Sequence, residues 1–175
     1  MAESRYVPQD ETLKKIYGMD ERAMEEAGEH LMIGGGTRGG PVLHHGKGVR
    51  VWDVEGKEYI DCTSQSWALY LGYSNDEIWG AVDEHAQNLT HTHQGFDTLT
   101  RFALAKRLAD VAPDGMNRVS FVPTSALAVE GSMKLALKNR PGSSHFMCLW
   151  DAWHGTTLGT MGASWISTQA NGSYV

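Results

Sequence analysis

Cysteine is scarce in this chain, with only Cys62 and Cys148 among 175 residues. No secretory leader accompanies them, which argues against a disulfide, and their apolar, strand-like surroundings predict two free buried thiols. Positive charge is also short: 15 Lys and Arg face 21 Asp and Glu, for a formal net charge of −6. A surface of that sign does not attract nucleic acid. No block of like charges suggests a binding tail. No apolar run approaches the length of a membrane span, so no membrane contact is expected. Residues 1–12 are polar and acidic rather than a signal peptide, and the expected location is cytoplasmic. Asn88-Leu89-Thr90 and Asn171-Gly172-Ser173 match the glycosylation pattern, which a cytoplasmic protein would not use. The 20 glycines fall in short clusters without a fixed repeat.

What is present is an ordinary globular composition, 41% hydrophobic and 21% charged, in a chain long enough for one domain with a core. Residues 11–32 carry helical spacing: Leu13, Ile16, Ala23, Met24, Ala27 and Leu31 alternate with acids, and Gly18 can split the run into two helices. The cluster from Gly34 to Pro41 forbids regular structure and reads as a flexible surface connection. A phosphate cradle would need a strand before it and a helix after it, and here a helix precedes and Pro41 follows. Residues 48–61 read as a β-hairpin turning at Glu55-Gly56. Helices are predicted over 75–88 and 97–111, the second ended by Pro113.

A strand–helix–strand unit follows. Val119, Phe121 and Val122 form one apolar strand, residues 127–138 a helix, and Phe146-Met147-Cys148-Leu149-Trp150 a strand apolar on both faces. Two strands joined by a helix predict a right-handed crossover in a parallel sheet, and hence an α/β fold. Two strands do not make a domain, so the pattern implies part of a larger α/β sheet. The expected division is an N-terminal helical and hairpin segment over 1–70 and a partial α/β domain over 71–175.

The turn Pro123-Thr124-Ser125-Ala126 joins a strand end to a helix start. Open α/β sheets bind ligands at that edge, and the free N–H groups and dipole of a helix start favour an anion. A phosphate fits there, although Thr124 or Ser125 reads equally well as a plain helix N-cap. Trp153-His154-Gly155 follows the next strand and would stand at the same edge. Its indole could stack on an aromatic ligand, or simply pack at a strand end. His91 and His93, with His85 nearby, lack an evident third ligand and second shell, so no metal site is assigned. His44-His45 reads as surface. Cys62 has no accompanying His–acid pattern, and a packed thiol is the simpler reading.

Taken together these segments resemble the class III, ornithine-type aminotransferases of fold type I, including the dialkylglycine decarboxylase branch. These enzymes depend on pyridoxal 5'-phosphate (PLP). The resemblance runs from about Gly48 to Met161. It rests on the hairpin at residues 48–61, on Leu71-Gly72-Tyr73 where Leu-Gly-His is usual, on residues 122–136, and on Trp153-His154-Gly155-Thr156-Thr157. It implies that Thr124, Ser125 and Ala126 hold the cofactor phosphate, that Trp153 stacks on the pyridine ring, and that His154 and Gly155 support that segment. Glu130 matches a family glutamate behind the phosphate loop, and Ser66 and Trp67 fall on the substrate side. The fold implied is the first part of a PLP-transferase large domain, a mostly parallel sheet with flanking helices.

There are departures. Ser125 replaces a usual Gly, Leu127 a usual Glu, Asn75 a common Pro, and Thr156 a frequent Arg. The family's pyridine-nitrogen aspartate and Schiff-base lysine lie further along. The seven lysines here, at 14, 15, 47, 57, 106, 134 and 138, are in no context that suggests that role, and Lys134 and Lys138 are expected to face solvent. No catalytic residue is therefore assigned within the chain. The expectation is amino-group transfer between an amino acid or amine and a keto acid, with decarboxylating transamination as the close variant. The site would be completed by a C-terminal-half chain carrying the lysine, or by a missing C-terminal region, within a homo- or hetero-oligomer. A non-catalytic assembly or regulatory subunit retaining the half-fold is the alternative. A free-standing phosphate-binding module is a third reading.

Overall fold

The computed structural model describes residues 6–32 and 39–164. The chain divides into two compact units, Met1–Thr92 and His93–Val175.

The first unit opens with two short helices, α1 (Glu11–Tyr17) and α2 (Glu21–Glu29). The side chains of Asp10 and Asp20 accept hydrogen bonds from the first free N–H groups of each, and the chain passes between the helices through Gly18, as expected. A three-stranded antiparallel sheet follows in the order β1 (Leu43–Lys47), β2 (Arg50–Asp53), β3 (Glu58–Ile60). Gly56, at φ +84°, supplies the left-handed residue of the β2–β3 turn. Val51 and Trp52 on β2 are buried, at 5% and 8% exposure. His45 stacks on Trp52 with ring centres 4.7 Å apart and planes 7° from parallel. Then come α3 (Ser64–Trp67), a single turn, and α4 (Asp76–Asn88). Asn75 caps α4 by accepting from the Ile78 N–H.

The second unit contains α5 (Leu99–Val111), α6 (Ser125–Asn139) and α7 (Leu158–Met161). Thr98 caps α5 through the Arg101 N–H. The helix therefore starts two residues later than residue 97, because a capping residue takes extended rather than helical backbone.

Three expectations are corrected. His44-His45 is not surface: it belongs to a third strand, and His44 is buried with its ring edge-on to Tyr17 at 5.0 Å. Cys62 and Cys148 are free, but both are exposed. Cys62 lies just beyond β3, and Cys148 lies in a segment that pairs with no strand among the described residues. The segments 119–122 and 146–150 pair with no strand among the described residues, so the crossover sheet expected there is not formed between them. Parallel strands are stable when neighbours flank them and helices cover both faces. Here Met147, Leu149 and Trp150 are exposed. The glycine cluster at 34–38 and everything after residue 164 lie outside the described residues.

Candidate functional site

The start of α6 is built as the sequence suggests. Thr124 takes extended backbone at φ −142°, ψ 155°, and its Oγ1 accepts from the Leu127 N–H at 3.2 Å. Ser125 and Ala126 open a helix of 15 residues, where N–H groups lack intrahelical acceptors and the dipole is positive. Ser125 has no left-handed backbone, so the absence of the usual glycine imposes no conformational strain here.

The segment after residue 150 is brought against that helix start. Asp151, at φ +61°, turns the chain, and Gly155 follows at φ +105°. A Cβ on Gly155 would lie 2.5 Å from the Ala126 Cβ and 3.1 Å from its Cα. Only a glycine permits that approach. It places Trp153-His154-Gly155 beside Ala126, with the Trp153 indole 58% exposed.

Three hydroxyls that sequence reasoning missed secure the segment. Ser164 is fully buried; its Oγ accepts from the His154 N–H at 2.8 Å and donates to the Gly155 carbonyl at 2.7 Å. Thr160 is fully buried and meets the Thr157 hydroxyl at 2.9 Å. The Thr157 hydroxyl also donates to the Glu130 carboxylate. A Cβ on Gly159 would come within 2.8 Å of that carboxyl group, so α7 sits tightly on α6.

Ser66 and Trp67 belong to the first unit. They lie in α3, a run of four non-glycine residues with left-handed backbone: Ser64, Gln65, Ser66 and Trp67 have φ of 49°, 50°, 58° and 66°. That conformation costs an L-residue about 1–2 kcal/mol. Asp61 supports the run by accepting from the Thr63 N–H and hydroxyl at 2.8 and 2.9 Å, the Gln65 N–H at 3.1 Å and the Tyr73 hydroxyl at 3.0 Å. The Thr63 N–H bond leads in holding the Asp61 carboxyl below the usual carboxylate range, against a smaller opposing effect of burial. Burial, then the bond to Asp61, pushes the Tyr73 phenol up.

A second carboxylate network closes the hairpin. Burial alone would raise the Asp53 carboxyl. Bonds from the Tyr59 hydroxyl at 2.8 Å and from the Lys57 and Glu55 N–H groups outweigh it and hold Asp53 low.

Among the described residues no group of three or more His, Cys, Asp or Glu is placed to hold a metal ion. His93 serves its own loop, its Nδ1 accepting from the Gly95 N–H. Lys134 and Lys138 are exposed on α6. No helix among the described residues is long and apolar enough to cross a membrane.

The family model for class-III aminotransferases matches residues 38–173. An acetylornithine aminotransferase of Methanothermobacter thermautotrophicus is 35% identical over 83% of this chain, and a mitochondrial one of Alnus glutinosa 33% over 84%. The match covers 37% and 34% of those two relatives, so the chain spans little more than a third of their length. Among solved structures, an adenosylmethionine-8-amino-7-oxononanoate aminotransferase from Methanocaldococcus jannaschii superposes with a TM-score of 0.78 at 25% identity, over 87% of this chain and 38% of that one. A taurine:2-oxoglutarate aminotransferase from Bifidobacterium kashiwanohense, solved with PLP and glutamate, gives 0.75 at 31% identity, over 87% and 36%.

Proposed function

This chain belongs to the class-III aminotransferase family, and from that premise we propose that it supplies the phosphate-binding and ring-stacking part of a PLP site. The complete site transfers an amino group between an amino acid or amine and a keto acid. The supporting observation is the close approach of Gly155 to Ala126, which sets an exposed indole beside an open helix start.

The residues fit the cofactor by their chemistry. The Ser125 and Ala126 N–H groups form the positive end of α6 and suit a phosphate. The Thr124 hydroxyl accepts from Leu127, which leaves its own proton to donate. Trp153 offers a flat face to a pyridine ring. His154 and Gly155 hold that face in place through Ser164. When bound, PLP supplies an electron sink that stabilises negative charge at the substrate Cα. The family resemblance assigns Ser66 and Trp67 to the substrate side of the complete enzyme. The lysine that joins the cofactor comes from a C-terminal-half chain or from further sequence, in a homo- or hetero-oligomeric assembly of the cytoplasm.

Borohydride reduction of the native assembly, followed by mass spectrometry, tests this. A phosphopyridoxyl lysine on a segment bound to this chain, lost when Gly155→Ala displaces the loop, is the expected result. An assembly that takes up no cofactor refutes the reading and favours a non-catalytic assembly or regulatory role, with which Leu127 in place of the family glutamate agrees.

A further inference from the structure

The left-handed run from Ser64 to Trp67 has no glycine to relieve it and little burial to press it into shape, since Trp67 is 75% exposed. Such backbone persists where its surroundings over-determine it. Part of the support is local: the Trp67 N–H donates to the Thr63 carbonyl, and those of Ala68 and Leu69 donate to the Ser64 carbonyl. The rest converges on one distant side chain. The Tyr73 hydroxyl donates to Asp61 Oδ2 at 3.0 Å and accepts from the Gln65 side-chain amide at 2.6 Å. It therefore touches both the residue that caps the run and a residue within it.

Three glycines hold Tyr73 where it can do this. Its backbone forms an antiparallel bridge with Gly48, through bonds of 2.8 and 3.0 Å. Its ring lies on Gly46, where a Cβ would come within 2.6 Å of the ring carbons. A Cβ on Gly72, at φ +76°, would meet the Gly48 carbonyl oxygen at 2.6 Å. A phenol carries its hydroxyl farther from the backbone than an imidazole carries its nitrogens. The tyrosine at this position, where the family usually has histidine, thus provides the reach.

We propose that Tyr73 is a positioning residue that, through Asp61 and Gln65, locks the left-handed turn and sets how Ser66 and Trp67 are presented. This rests on the substrate-side reading of Ser66 and Trp67 and deepens it. The raised phenol keeps the donor proton in place across the neutral range.

Tyr73→Phe removes the hydroxyl and keeps the ring on Gly46. In the native assembly, without added cofactor or substrate, amide hydrogen exchange at Trp67, Ala68 and Leu69 rises about tenfold, the population equivalent of one hydrogen bond to a charged group discounted for exposure. Exchange in α4 stays unchanged. In protein labelled with 5-fluorotryptophan, the resonance that disappears in Trp67→Phe shifts in Tyr73→Phe, while those of Trp52 and Trp79 stay put. Both results are required. Unaltered exchange at the turn, a uniform rise along the chain, or a stationary Trp67 resonance overturns the lock. Failure of the substrate-side reading looks different: the lock signature persists, but Trp67→Ala leaves the amino-donor KM of the complete enzyme unchanged.

Discussion

The Thr157 hydroxyl donates to the Glu130 carboxylate, joining the start of α7 to the second turn of α6. Sequence distance hides the relationship, since the two residues lie 27 positions apart. It makes Glu130 a support for the Trp153 segment, and it yields the first prediction. Glu130→Ala removes the acceptor and lowers stability by about 1–2 kcal/mol, while Glu130→Gln retains an acceptor oxygen and loses less. Urea unfolding of the native assembly, together with a PLP titration followed by absorbance, measures both effects. Cofactor affinity falls about tenfold in the alanine variant, the equivalent of 1.4 kcal/mol.

Glycines 155 and 131 give opposite outcomes. Gly155→Ala combines a left-handed backbone with a collision at Ala126 and costs about 3 kcal/mol. Gly131 lies inside α6, and a Cβ there meets nothing within 4 Å. Gly131→Ala stabilises by about 0.5–1 kcal/mol through helix propensity. Paired urea curves check the sign of each.

Leu127→Glu restores the acid usual in the family. Leu127 follows Thr124 by three residues, the spacing of a capping box, so a glutamate there can accept from the Thr124 N–H. The helix gains about 0.5–1 kcal/mol, read as a higher thermal midpoint.

Acid selectively loosens the hairpin. Asp53 titrates below its ordinary range in the folded chain. Its contribution is therefore present above the unfolded aspartate value of about 3.9 and is lost as pH falls through the lower folded value. Asp53→Asn removes this acid-side dependence. Exchange of the Lys57 and Glu55 amides, measured between about pH 5 and pH 2, decides whether that carboxylate holds the turn.

Much of the fold was legible wherever the signal is local. Thr124, readable as a helix cap, does cap α6, and helices form close to where the apolar spacing put them, although the caps at Asp20, Asn75 and Thr98 fall on residues expected to lie inside those helices. Glu55-Gly56 turns the hairpin. Elements that depend on distant partners were not legible. The His44-His45 pair looked polar and exposed, yet β1 pairs with β2 and encloses His44 among aromatic rings. Residues 146–150 have the composition of a doubly covered strand, but composition states a need for neighbours and cannot provide them. In the candidate site, Thr124 and Trp153 were singled out by the edge rule for open α/β sheets; Thr124 caps α6 and Gly155 lies on Ala126, but no strand forms ahead of either segment among the described residues. Ser164 could not be singled out, because a buried serine ten residues from His154 looks like any loop serine. The left-handed turn offered no glycine to betray it.

The fit of Gly155 on Ala126 makes the two positions interdependent in size. There is room for one methyl group between them, and residue 126 already fills it. A larger residue at 126 would push the aromatic loop away from the helix start. A redesign that enlarges the phosphate end of the site must therefore rebuild both segments in one step.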